Sequence, residues 1–204
     1  MQNENTLRLR LGDKEIRNAL IHRLTNSITP PKAIIEELHI HNGNAIADVV
    51  SLHSDAHCYE IKGEGDKIKR IEQQGYYYDL AFRKVTVVTT ESHLTNAQKF
   101  APAHWGIMIA REQYGTIKLS YIRAAKSNPK FDEIIALLTL WKSELNAVAS
   151  NITDEKIAKL NRNNLAALIA ENLNTDDLFK SISNQLIARD FKRKNPEPYR
   201  LCEH

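Results

Sequence analysis

Residues 45–65 read AIADVVSLHSDAHCYEIKGEG. Ala45 to Leu52 and His57 to Gly63 are two runs of strand-forming residues joined by the polar connection Ser54-Asp55, which predicts an antiparallel pair. The charges fall in unusual places. Asp48 is followed by two valines, and Glu60 and Lys62 flank Ile61. A solvated strand face is one reading of this pattern. A face open to water alternates cleanly, however, whereas here the charges sit among small and apolar residues. On an interior strand such groups cost several kcal/mol unless they are paired or bound to a metal.

Register decides whether these groups meet. Residues directly opposite in a hairpin lie on one face. A three-residue loop, Ser54-Asp55-Ala56, would pair His53 with His57, Leu52 with Cys58, Val50 with Glu60 and Asp48 with Lys62, gathering three polar groups at one end of one face. A two-residue turn would separate them unless a bulge intervened. Glu60-Ile61-Lys62 is the only Glu-x-Lys in the chain. Its two charged residues share a strand face, and glycines follow before a helix.

Outward on the N-terminal side, Ile16, Leu20 and Leu24 with Ala19 predict an amphipathic helix over 12–26, with Asp13 as its N-cap. Pro30 and Pro31 stop it. Ile34 to His41 is a strand, joined to Ala45–Leu52 through Asn42-Gly43, whose residues accept positive φ. On the C-terminal side follow a helix from Asp66 to Leu80, a strand from Lys84 to Thr90, a short helix from Leu94 to Phe100, and strands Trp105–Arg111 and Gly115–Arg123. The order α, β, β, β, α, β, α, β, β predicts an α/β fold, a mixed sheet with helices against its faces. Beyond Asn128-Pro129 only helical periodicity remains, in Phe131–Val148, Asp154–Leu173 and Thr175–Phe191. The first of these is expected to pack on the sheet through Ile134, Leu138, Trp141 and Leu145. A hinge at Ser150-Asn151 divides a core, 1–150, from a C-terminal helical appendage, 151–204.

Composition sets the outer bounds. The chain has 204 residues, enough for one domain with an appendage. It is 42% hydrophobic with 7 Gly and 6 Pro, which excludes disorder and collagen-like repeats. Cys58 and Cys202 lie far apart without Cys-x-x-Cys spacing, so neither a disulfide framework nor a four-ligand zinc site is supported, and His39, His41, His53 and His57 read as surface or turn residues. Met1 to Arg10 lacks a secretory apolar region, and no apolar run approaches the ~18 residues that span a bilayer. A cytoplasmic protein without membrane association is expected. The net charge of +3 permits a polyanionic partner without requiring one.

On the 66–80 helix, Lys67, Gln74 and Tyr78 are spaced i, i+7 and i+11, with Arg70 four before Gln74, a stripe able to follow a phosphate backbone. The competing reading makes Ile68, Ile71 and Tyr78 a core face with solvated cations. Gly75 in mid-helix permits close packing or substrate approach.

From Gly12 to Arg123 the order of elements, with Asp48 and Glu60-Ile61-Lys62, resembles the PD-(D/E)XK nuclease superfamily. Asp48 stands where that superfamily has its motif Asp, preceded here by Ala47 rather than Pro. Gln74 with Tyr78, or Gln73 with Tyr77, is similar to the Gln-x-x-x-Tyr pattern of its exonuclease-like branch. His93 to Ala110 with LTLWKSEL resembles a small bacterial branch. The resemblance implies a restriction-endonuclease-like sheet and a metal-dependent nuclease hydrolysing phosphodiester bonds in DNA. Asp48 and Glu60 would hold Mg²⁺ or Mn²⁺, with the Ile61 carbonyl as a further ligand. Lys62 would position the water or stabilise the phosphorane. Glu15 would be an additional acid, although a first-turn Glu is also good helix chemistry. Lys67, Arg70, Gln74 and Tyr78 would contact nucleic acid, and a homodimer is compatible. The alternative is a non-catalytic nucleic-acid-binding or protein-interaction module retaining the nuclease fold.

Overall fold

The computed structural model describes residues 10–153 and 157–196. Expectations resting on residues 1–9, on Asp154 as a helix start and on Cys202 in the tail lie outside the described residues. Six strands form one sheet whose spatial order equals their chain order: β1 (Ala33–Ile40), β2 (Ala45–Leu52), β3 (Ala56–Lys62), β4 (Lys84–Thr90), β5 (Gly106–Gln113) and β6 (Thr116–Arg123). The first three strands run antiparallel, β3–β4 and β4–β5 are parallel, and β5–β6 is antiparallel. The helices are α1 (Asp13–Thr25), α2 (Ile71–Ala81), α3 (Leu94–Phe100), α4 (Glu133–Leu137), α5 (Lys142–Ala149), α6 (Arg162–Asn172) and α7 (Thr175–Lys194). The fold is of the expected α/β class, a six-stranded mixed sheet flanked by helices, with helices at the C-terminal end.

Both sheet faces are covered, and this explains the unusual charge pattern. On one face, Ile16 and Leu20 of α1 pack with Val49, Tyr59, Ile61, Val88 and Met108. On the other, Val50, Cys58, Val85 and Val87 pack with α2 and the C-terminal helices, including Leu165, Ile169, Leu178 and Ile182. Adjacent Val49 and Val50 therefore serve two different cores. Burying a Val or Leu side chain contributes roughly 1.5–3 kcal/mol, so neither layer is dispensable.

Alternation breaks at one place. Ala45 and Ala47 share the face of Val50 and Leu52, so β2 resets its parity at Asp48. Opposite it, β1 does the same: Ile35 and Leu38 lie on one face, and Glu37 between them has φ 54°, in the left-handed region. The pairs 36↔49 and 38↔47 form while the Glu37–Asp48 step between them does not. A non-glycine residue held there costs on the order of 1–3 kcal/mol.

The β2–β3 register differs from the expected one. Leu52 pairs with Ala56, Val50 with Cys58 and Val49 with Tyr59. The loop is His53-Ser54-Asp55, because the His53 amide bonds inside it to the Asp55 carbonyl (3.1 Å) and is withdrawn from the ladder. Val50 therefore faces Cys58, not Glu60. Continued one step past the last pair, the register brings Asp48, not Val50, opposite Glu60.

Other boundaries shift for local reasons. The Phe131–Val148 helix is two helices, because the Trp141 amide is capped by the Glu144 carboxylate (2.7 Å) and starts a new one. Leu145 is buried and Leu138 is partly buried against the core, but Ile134 and Trp141 are exposed, contrary to expectation. Helix α1 is capped at Gly12 rather than Asp13. Helix α6 starts at Arg162, where the Asn161 side chain accepts from the Asn164 amide (2.9 Å).

Gly75 is explained by packing. A Cβ there would lie 3.1 Å from the indole ring of Trp105, itself fully buried. Gly75→Ala is expected to lower stability by about 1–3 kcal/mol despite its better helix propensity, because ring and helix must part. The urea midpoint checks this.

Candidate functional site

The polar centre lies where β2 and β3 separate. Beyond Val49–Tyr59 the ladder ends, which leaves the Ile61 amide without a backbone partner on the β2 side. The Asp48 carboxylate supplies one, with Oδ2 accepting from the Ile61 amide at 2.7 Å. A side chain thus completes the pairing where the strands part.

Behind it, Glu60 is fully buried and Lys62 nearly so, and the Lys62 ammonium donates to Glu60 Oε1. The Tyr78 hydroxyl of α2 lies 2.6 Å from Glu60 Oε2 and 2.8 Å from the Ile46 carbonyl. Gln74, one turn earlier, donates weakly to that hydroxyl at 3.5 Å, while its Oε1 is buried without a partner. Next to Glu60's charge, and above all through its own burial, Tyr78 is held well above the usual phenol range.

Asp48 is the member that reaches solvent, with its side chain 22% exposed. Burial, and then the charge of Glu60, push its carboxyl up to about 7, against the opposing pull of the Ile61 amide and Lys62. Arg17 of α1 stands over it. Its guanidinium donates to the Asp48 carbonyl (3.1 Å), lies 3.6 Å from Asp48 Oδ1, and pairs with Asp13 at 3.0 Å, with Glu36 and Glu37 at 3.8 and 4.0 Å. Sequence reasoning overlooked Arg17. The available signal was its placement beside Ile16 and one turn after Asp13.

The structure thus gathers Asp48, Glu60, Lys62, Gln74 and Tyr78, with Ile61 present through its amide. Glu15 is elsewhere in role, accepting from the Gly12 amide (3.1 Å) at the start of α1. Lys67 and Arg70 are exposed on the turn before α2, separate from the inward-facing Gln74 and Tyr78. The histidine and cysteine side chains near the β2–β3 loop do not converge. His57 bonds Thr86 Oγ1 (2.8 Å) on one side of the sheet, and Cys58 is buried on the other.

Residues 8–199 match the family model described as bacteriophage P4 protein cII. The chain belongs to the bacteriophage P4 cII family. One curated relative, protein cII of Enterobacteria phage P4, is 24% identical over 136 residues, covering 66% of this chain and 52% of the relative. This cII-family chain therefore spans about half the length of that relative. A solved structure of a protein of unknown function from Silicibacter pomeroyi superposes with a TM-score of 0.45 at 13% identity, over 94% of this chain and 97% of that one.

Membership of the cII family replaces the assignment to the PD-(D/E)XK superfamily and, with it, the expectation of a metal-dependent DNA nuclease acting through Asp48, Glu60 and Lys62. The resemblance rested on three charged residues and an element order, which a two-sided sheet of this kind can present without that ancestry. A family match across nearly the whole chain outweighs them. In this cII-family protein Glu60 bonds Lys62 and Tyr78, while Asp48 accepts from the Ile61 amide and lies 3.6 Å from the Arg17 guanidinium. Among the described residues no helix is long and apolar enough to cross a membrane.

Proposed function

We propose that the protein binds the phosphate backbone of a nucleic acid, DNA in the first instance, at the β2–β3 separation, with Mg²⁺ or Mn²⁺ bridging the backbone to Asp48 in front of Glu60. The observation that carries this reading is the register that sets Asp48 opposite Glu60 where the β2–β3 ladder ends, at a place where the fold bears strain beside the left-handed Glu37. A buried ion pair adds little over a well-packed apolar pair, so charges placed here are more readily explained by function than by folding.

The donor set supports a shared rather than an enclosed ion. Among the described residues no group of three or more His, Cys, Asp and Glu side chains is placed to hold a metal. Mg²⁺ commonly takes one or two carboxylates and completes its shell with water and phosphate oxygens. Asp48 Oδ2 is taken by the Ile61 amide, so Oδ1, 3.6 Å from the Arg17 guanidinium, is the oxygen that would meet the ion, while Glu60 behind it adds negative charge. Lys67 and Arg70, exposed on the segment leaving β3, would meet neighbouring phosphates. In this proposal the protein works in the cytoplasm, where Cys58 stays reduced, and light scattering distinguishes a single chain from a homodimer on a two-stranded target.

The test is fluorescence anisotropy of labelled single-stranded and duplex DNA with Mg²⁺ or with EDTA. Binding is expected with Mg²⁺, weakened about tenfold or more by EDTA and by Asp48→Asn. Lys67→Ala and Arg70→Ala should each lower the salt slope by about 1. Equal affinity in EDTA and Mg²⁺ would overturn the role of the ion, and no binding under either condition would overturn the proposal.

A further inference from the structure

A cavity of about 510 Å³ lies between the edge strand β1 and the C-terminal helices, away from the Glu60–Lys62 pair. This size falls within the roughly 300–1,000 Å³ of small-molecule sites. Two of its walls carry recognisable chemistry. Trp141 is 60% exposed, and the Arg189 guanidinium sits over one face of its indole, 4.3 Å from the ring centroid. Arg189 is itself held by the Glu144 carboxylate and the Thr139 carbonyl. An aromatic ring fixed on one side by a clamped cation offers its other face for stacking.

Arg162 supplies the second wall. Its guanidinium donates to the Asn42 side chain (3.0 Å) and to the Leu138 and Leu140 carbonyls, all of them neutral acceptors among the described residues. Its Nε is buried with no hydrogen-bond partner. A guanidinium whose acceptors are all neutral keeps its positive charge uncompensated, which suits the cavity wall it forms to a phosphate. Glu36 and Glu37 line the same cavity and can accept from sugar hydroxyls or base amino groups.

We infer that this cavity binds a phosphorylated nucleoside, with its base on Trp141 and its phosphate at Arg162. The ligand chemistry has two sources, a free nucleotide or the phosphorylated end of a single strand. Glu36 and Glu37 also lie within 4.0 Å of Arg17 beside Asp48, but the cavity needs no ion, and measurement in EDTA separates it from the ion-bridged contact.

The experiment titrates the full chain, in EDTA, with adenosine and uridine 5′-monophosphates, the corresponding nucleosides, inorganic phosphate, and a 5′-phosphorylated oligonucleotide, and follows tryptophan fluorescence. A saturable change is expected with the nucleotides, the oligonucleotide or both. Nucleosides and phosphate alone should bind at least about tenfold more weakly, and Trp141→Leu, followed by calorimetry, should weaken binding about tenfold through the lost stacking. Arg162→Lys should do the same while keeping one positive charge. Should that variant fold poorly by circular dichroism, Trp141→Leu on the exposed surface decides alone. Saturation by mononucleotides assigns a free ligand, and saturation by the oligonucleotide alone assigns a strand end. No saturation with either, nucleosides binding as well as nucleotides, or unchanged affinity in the folded variants would overturn the inference.

Discussion

Glu60→Ala is expected to lower the unfolding free energy by about 3–5 kcal/mol, the effect of leaving one partner of a buried ion pair alone. Lys62 has only 9% of its side chain exposed and donates to Glu60, so it cannot turn to water without opening the end of β3. Tyr78 loses its 2.6 Å contact as well, though the Ile46 carbonyl still accepts from its hydroxyl. Replacing both charges, Glu60→Leu with Lys62→Met, should bring stability back to within about 1–2 kcal/mol of the parent, since well-packed apolar pairs often equal buried ion pairs. Chemical denaturation measures both. The double variant separates folding from function, because it restores the core while removing the acid behind Asp48. If it still binds DNA in Mg²⁺ as the parent does, Glu60 has no part in the contact proposed here.

The pH dependence of stability should be the sum of two opposed effects. His57 is pushed down to about 3, first by burial and then by the charges of Lys84 and His53, while its ring nitrogens meet Thr86 Oγ1 (2.8 Å) and the Tyr59 hydroxyl (3.3 Å). As pH falls below about 6.5, the unfolded chain takes up this proton and the folded chain does not, so stability is lost, by about 2 kcal/mol at pH 5. Asp48 acts in the other direction. Raised to about 7, it is protonated in the folded chain at a pH where the unfolded carboxylate remains ionised. Its contribution is present at low pH and is lost as pH rises towards 7, again about 2 kcal/mol between pH 5 and 7. In EDTA the parent is therefore expected to be nearly flat over this range. Asp48→Asn should become acid-sensitive, and His57→Gln should become more stable in acid than at neutrality. Urea midpoints of the three proteins at pH 5 and 7 test this, and identical slopes for all three would rule out both linkages.

Much of the fold was legible because it rests on local signals. The Asn42-Gly43 turn, the valine-rich β4 and the Ile16–Leu20 stripe each announce their own element, and the sheet follows from their order. The gathering of Asp48, Glu60 and Lys62 was legible from strand parity. The pairing that achieves it was not, because the loop shift depends on one backbone bond between His53 and Asp55. The matched reset at Glu37 and Asp48 was also hidden, since a residue entering the left-handed region leaves no mark when it is not glycine. Arg17 escaped notice because its partners come from α1, β1 and β2 and meet only after packing. The family could not be read from the motif, because charged triplets on adjacent strands report local chemistry and not descent.

The strand order, identical to the chain order, also bears on how the molecule assembles. Each pairing joins segments consecutive in the sequence, so loop closures are short and the sheet can zip in the direction of synthesis. The exception is the layer on the Val50–Val87 side, whose cover includes Leu165, Ile169, Leu178 and Ile182 from the last part of the chain. Until α6 and α7 emerge from the ribosome, that side of a formed sheet is covered only in part, by α2 to α5, and the rest stays wet and adhesive. The nascent protein is therefore most exposed to aggregation and to chaperone capture in the interval when the strands are complete and α6 and α7 are still being made.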